Sequence, residues 1–160
     1  MLTAILSSLE IMAFKKIYYH ELKVSSALRD KKKLSAFLLN IFKSENTILE
    51  KVDIIFCSDP FLLKLNIHHL DHNEYTDTIT FHFQPKNKPV VGEVYISINR
   101  VRENSKKLQI PYRTELHRVI IHGILHLCGY SDKGVGSFKM LKKQEEHLAR
   151  YIVPRETPKI

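Results

Sequence analysis

The sequence predicts an α+β fold, a small mixed β-sheet packed by helices. Three observations support this. Segments with helical and strand periodicity are interleaved along the chain. Two strand-like runs within 76–98 lie close enough to form a hairpin. A nearly all-apolar helix carries two histidines and runs into a glycine turn.

Taken in order, residues 14–22 (Phe-Lys-Lys-Ile-Tyr-Tyr-His-Glu-Leu) read as a first strand. Leu34, Phe37, Leu38 and Ile41 recur at helical spacing and predict an amphipathic helix over 30–44. Val52, Ile54 and Phe56 alternate with Lys51, Asp53 and Ile55, the pattern of a half-buried strand. Asp59-Pro60 then opens a helix, the carboxylate as cap and the proline in the first turn, running to about Leu70. After the polar turn Asp71-His-Asn-Glu74, the run Thr76 to Phe83 places Ile79, Phe81 and Phe83 on one face and Thr78, Thr80 and His82 on the other. Val94, Ile96 and Ile98 mark the next strand, and Asn99 is placed to cap a short helix through about Lys107. Residues 112–128 form the helix of the two histidines. A last amphipathic helix near 136–150 presents Phe138, Leu141 and Leu148.

At 160 residues, with 44% apolar and 26% charged residues, the composition is that of one globular domain. We expect a single domain over 12–153, an N-terminal extension over 1–11 and a C-terminal tail over 154–160. The first eleven residues are mildly apolar but lack a basic leader and a clear cleavage site, and Met12 is an equally good start. No apolar run approaches the length needed to cross a bilayer, so no membrane partner is expected. Two cysteines, Cys57 and Cys128, are too few for a disulfide framework and fit a reducing compartment. The net charge of +8 favours polyanionic partners, although charge alone is weak evidence for them.

The stretch His122-Gly-Ile-Leu-His126-Leu-Cys-Gly129-Tyr-Ser-Asp132 carries the most chemistry. Two imidazoles four residues apart on a helix have Cβ atoms about 5–6 Å from each other, close enough to share one ion. Gly129 can take the left-handed conformation that ends a helix, bringing Asp132 back as a third ligand. Two nitrogens and an oxygen with a position left open describe a catalytic zinc site rather than a closed structural one. The bland alternative is two core histidines bonded to backbone or carboxylates. From Val119 to Cys128, however, the histidines are the only strongly polar side chains, and a metal would satisfy both.

The spacing also matches long metalloprotease motifs, but those place glutamate, the general base, directly after the first histidine. Here that residue is Gly123, which offers either close backbone packing or room for a bulky substrate. The metal would then supply the nucleophile itself, by lowering the pKa of its bound water to about 7. Cys128 reads as a packing residue, His117 as off the ligand face and His147 as solvated. His68, His69 and His72 read as exposed, with a second metal as the alternative. His82 touches substrate if the Thr78–Thr80 face lines a cleft. The basic clusters Arg29 with Lys31–Lys33, Lys106-Lys107 and Lys142-Lys143 each read as solvated faces.

At these residues the chain resembles the YbeY family, bacterial single-strand-specific endoribonucleases of ribosomal RNA maturation. The family signature His-Gly-x-Leu-His-Leu-x-Gly-Tyr-Asp-His stands here as His122-Gly-Ile-Leu-His-Leu-Cys-Gly-Tyr-Ser131-Asp132. Upstream, Leu65-Asn66, Thr76-Asp77-Thr-Ile-Thr-Phe81 and Gly92-Glu-Val-Tyr-Ile-Ser97 match its other motifs, and the likeness runs from about residue 12 to 150. The resemblance implies an α+β fold with one zinc ion in a cleft, a cytoplasmic location, and the small ribosomal subunit with its proteins as partners. It differs in two places. Asp132 stands where the family has a histidine ligand, and Leu70 stands where it usually has a phosphate-binding arginine. Another cation would then take the phosphate, with Arg113, Arg118 and Lys133 the candidates by sequence proximity.

The expectation is therefore a zinc-dependent endoribonuclease acting on single-stranded RNA in late 16S ribosomal RNA 3′-end maturation and ribosome quality control. His122, His126 and Asp132 would hold the metal and act through its bound water, with a 2′-hydroxyl as the alternative nucleophile. His82, Arg113, Arg118 and Lys133 are candidate substrate contacts. The rivals are a non-catalytic, metal-stabilised ribosome-assembly factor and another zinc hydrolase.

Overall fold

The computed structural model of the chain describes residues 16–71 and 74–152. Among them, β1 (Ile17–Glu21), α1 (Lys31–Ser44), β2 (Leu49–Cys57), α2 (Asp59–Leu70), β3 (Thr78–His82), β4 (Val90–Ser97), α3 (Ile98–Leu108), α4 (Tyr112–Leu127) and α5 (Gly136–Ile152) follow in order. The expected extension over 1–11, the tail over 154–160 and His72 lie outside the described residues.

The four strands form one mixed sheet in the order β1-β2-β4-β3. β1 and β4 run parallel to β2, while β3 pairs antiparallel with β4, Thr78 opposite Ile96 and His82 opposite Gly92. This is the hairpin expected within 76–98. β2 lies between β1 and β4 and is buried from Ile54 through Cys57, more completely than its alternation suggested. A central strand flanked by parallel neighbours is covered on both faces, so Ile55 is inside as well.

Alternation along β4 separates two apolar clusters on opposite faces of the sheet. Val94 and Ile96 join the main core with Leu38 and Phe42 of α1 and with Val119, Ile120 and Ile124 of α4. Tyr95 faces a smaller cluster of Cys57, Leu62 and Ile79 beneath α2. On β3, Ile79 and Phe81 face this smaller cluster, which leaves Thr78, Thr80 and His82 on the side of α4.

Three local expectations are corrected. Ser58, not Asp59, caps α2, accepting from the Phe61 amide at 3.4 Å. The Asp59 carboxylate instead accepts from Ser97 Oγ and Arg100 Nε. Ser97, not Asn99, caps α3, and Ile98 belongs to that helix rather than to the strand. Asn99 Oδ1 accepts from the Asp59 amide and so ties the two helix starts together. On α5 the buried stripe is Met140, Gln144, His147 and Tyr151, while Phe138 is 78% exposed and Leu141 50% exposed. Reading only apolar residues missed this face because two of its four members are polar and gain their burial through hydrogen bonds.

Two glycines bring the histidine helix close to the sheet. A Cβ on Gly123 would press into Val94 Cγ1, inside any contact distance. A Cβ on Gly92 would lie 2.6 Å from Leu127 Cδ2 and 2.8 Å from the Phe81 carbonyl oxygen. Of the two roles open to Gly123, the structure therefore shows close packing, and its absent side chain leaves no space beside the histidines.

Candidate metal centre

α4 carries His122 and His126 one turn apart, with ring centroids 4.6 Å apart and planes nearly perpendicular. The helix ends in a Schellman motif. The Tyr130 amide donates to the Leu125 carbonyl at 3.1 Å, the Gly129 amide donates to the His126 carbonyl at 3.0 Å, and Gly129 has φ +100°. The reversal returns the chain over the helix end and places Asp132 Oδ2 3.5 Å from His126 Nε2. One ligand-type atom from each of His122, His126 and Asp132 lies within 4.8 Å of the other two.

The hydrogen bonds around the imidazoles test whether a metal fits. His122 Nδ1 lies 2.7 Å from Gln144 Oε1, and His126 Nδ1 lies 3.1 Å from the Tyr130 carbonyl oxygen. Both partners are acceptors, so each Nδ1 donates, and the lone pair of a neutral ring then lies at Nε2. These two Nε2 atoms face each other at 3.1 Å. Two lone pairs at that distance repel unless a cation lies against both. Burial, followed by the neighbouring His122, lowers the His126 pKa and so opposes supplying that cation as a proton. Asp132, 56% exposed on its side chain, supplies a negative oxygen on the open side. The donor set fits a divalent metal such as zinc, with second atoms of both rings fixed by acceptors as is usual for histidine ligands.

The residues that aim the ligands escaped the sequence reading. Gln144 holds His122 directly. On the other side, Tyr130 Oη donates to Glu45 Oε2 at 2.6 Å, and His147 Nε2 donates to Glu45 Oε1 at 3.0 Å. That network fixes Tyr130, whose carbonyl orients His126. His147 is therefore buried and hydrogen-bonded rather than solvated. The only sequence signal was two polar residues, Gln144 and His147, falling on the Met140–Tyr151 stripe.

The ligands face a cleft of about 600 Å³ whose opposite wall is the Thr78, Thr80 and His82 face of β3. Lys133 lines it as well, and so does Leu70, 47% exposed. Arg118 lies behind the wall, bonded to the fully buried Glu115 and reaching Asp77 Oδ2 at 3.5 Å. Arg113 pairs with Asp30 at 3.0 Å, outside the residues lining the cleft. The structure thus brings His82 and Lys133 to the ligands and engages both arginines elsewhere. His117 is buried edge-on against Tyr151, and burial pushes the Cys128 thiol up to about 12. His68 and His69 are exposed on α2, with His69 edge-on to Phe81.

A family model described as Endoribonuclease YbeY matches residues 16–152. The chain belongs to the YbeY family. It is 40% identical over 139 residues to the Endoribonuclease YbeY of Amoebophilus asiaticus, covering 86% of this chain and 95% of that protein. It is 40% identical over 126 residues to the Endoribonuclease YbeY of Parabacteroides distasonis, covering 79% and 87%. The solution structure of a Thermotoga maritima protein superposes with a TM-score of 0.61 at 29% identity, covering 83% of this chain and 87% of that one. The α+β fold of this YbeY member thus agrees with the expectation. Among the described residues no helix is long and apolar enough to cross a membrane.

Proposed function

We propose that this YbeY-family protein is a zinc-dependent, single-strand-specific endoribonuclease acting in late 16S ribosomal RNA 3′-end maturation and ribosome quality control. It would work as a single domain over 12–153, in the cytoplasm, with the small ribosomal subunit and its proteins as partners. The observation that carries the reading is the pair of facing Nε2 lone pairs, beside Asp132, at the cleft of a chain whose family is named for endoribonuclease activity.

When bound, zinc supplies Lewis-acid polarisation of a phosphate oxygen and activation of water. The chain's own residues do the rest. Gln144 and the Tyr130 carbonyl hold Nδ1 of both imidazoles and turn their Nε2 atoms toward the cleft. Asp132 adds a negative charge that makes the site less acidifying toward water than three histidines would. His82 and Lys133 line the same cleft; there His82 would face the scissile phosphate and Lys133 would offset charge developing in the transition state. With Leu70 in the cleft, no arginine serves that role among the residues lining it.

A second reading, a metal-stabilised assembly factor without cleavage activity, draws its support from Leu70. A peptidase would need a general base after the first ligand, where Gly123 packs on Val94. The deciding experiment is cleavage of a labelled single-stranded RNA by wild type and by His126→Ala purified identically, each with its zinc content measured. Cleavage by wild type alone supports the nuclease. Zinc-loaded wild type that leaves the RNA intact favours the assembly factor.

A further inference from the structure

A second, larger groove of about 920 Å³ joins the cleft at the metal centre, sharing His82, His126 and Leu127 with it. Its far wall is the β3–β4 connection, where the Lys88 amide donates to the Pro85 carbonyl at 3.0 Å and closes a turn over Pro85-Lys86-Asn87-Lys88. The turn sets Lys86 and Lys88 at the groove's edge, both exposed. Among the described residues neither is engaged by a carboxylate. Tyr130 and Ile48, the latter 72% exposed, add apolar surface to the groove's lining.

The two grooves differ in charge. The first is lined by Glu74 and Asp77 against Lys133, with Arg118 beside Asp77 and Asp132 taken up by the metal centre. The second is lined by Lys86 and Lys88 against Glu45 alone, whose carboxylate is turned inward to Tyr130 and His147. A polyanionic strand crossing the centre therefore finds a net excess of free cations only on the second side. Sequence-independent binding of single strands relies on such a combination of cationic edge and flat apolar surface.

We propose that the second groove is the binding track for single-stranded RNA, with Lys86 and Lys88 on its phosphates and Tyr130 and Ile48 against its bases. This rests on the endoribonuclease reading of the metal centre. It places the phosphate-binding cations on the hairpin turn, on the far side of the shared His82, His126 and Leu127 from Leu70.

The test uses a fluorescent, cleavage-resistant 2′-O-methyl phosphorothioate oligoribonucleotide, with binding followed by anisotropy over a salt series. Proteins compared are wild type, Lys86→Gln/Lys88→Gln, Lys133→Gln, and Lys31→Gln/Lys32→Gln on α1 as a control of equal charge change. Each single-strand phosphate contact contributes about 0.7 to the slope of log affinity against log salt. The hairpin pair is expected to lower the slope by about 1.4 and weaken binding, while the α1 pair leaves the slope unchanged. Equal slopes for the two double variants overturn the track, as does a larger loss from Lys133→Gln than from the hairpin pair. Wild type that binds no RNA overturns the underlying reading and the track with it. Wild type that binds with the hairpin variant unimpaired leaves that reading standing and removes only the track.

Discussion

Replacing Gly123 by alanine tests whether the histidine helix is positioned by contact with the sheet. In an exposed helix this change stabilises by about 1 kcal/mol through backbone propensity. Here the added methyl would collide with Val94 Cγ1, in a core where extra volume destabilises by about 1–3 kcal/mol. Net destabilisation of about 1 kcal/mol is expected, a fall in melting temperature of roughly 2–4 °C for a domain of this size. The obstacle is a side chain, so Val94→Ala should relieve it. In a double-mutant cycle followed by urea denaturation, Gly123→Ala should become stabilising in the Val94→Ala background, with a coupling of about 1–3 kcal/mol. Gly92→Ala gives the contrast, since the Phe81 carbonyl oxygen 2.8 Å away is backbone and no side-chain truncation removes it. Metal affinity, measured by chelator competition, should fall in Gly123→Ala and recover in the double variant, because the methyl pushes the turn carrying His122 off the strand. Additive stabilities, or Gly123→Ala more stable than wild type, would refute the idea that contact with Val94 demands the glycine.

Three further outcomes are expected. Gln144→Ala leaves His122 Nδ1 without its acceptor and should weaken metal binding about 10–100-fold. Gln144→Glu keeps an acceptor and should retain affinity, and equal losses in both would argue for a packing role. His126→Ala should abolish zinc in elemental analysis, whereas Asp132→His should retain metal and fold. A full complement of metal in His126→Ala would contradict the ligand assignment. The Glu45 carboxyl is held below its ordinary 4.5, burial opposing the shift but hydrogen bonds from Tyr130 and His147 outweighing it. A depressed folded-state value means stabilisation that is present above the unfolded value and disappears as pH falls through the folded one. Wild type should therefore lose stability more steeply than Glu45→Gln below about pH 4.5, and parallel urea midpoints across that range would rule this out.

What was legible in the sequence followed from local rules. The hairpin, the histidine helix and the Gly129 reversal each rest on spacing within a few residues, and all three stand where expected. The caps of α2 and α3 were misplaced by one or two residues because serine, aspartate and asparagine all serve as caps. The choice among them depends on Arg100 and on contacts across 40 positions of sequence. The candidate triad His122, His126 and Asp132, which the structure gathers within 4.8 Å, could be read from residues 122–132. Gln144, Glu45 and His147 could not, because their roles depend on α1 and α5 packing against α4. The α5 face was misread for the same reason: apolar periodicity assumes that only apolar side chains are buried.

The clamp that α5 places on the metal centre has a thermodynamic consequence for the C-terminal helix. Gln144 and His147 steer His122 and His126, so any binding energy that depends on aimed imidazoles is returned as stability of the docked helix. Amides of α5 should then exchange with solvent more slowly when metal is present, although the helix supplies no ligand. In a growing chain the ligands at 122, 126 and 132 emerge before the residues that orient them. Tight capture of a metal would then wait on docking of α5, so a loaded centre would report that α5 has docked.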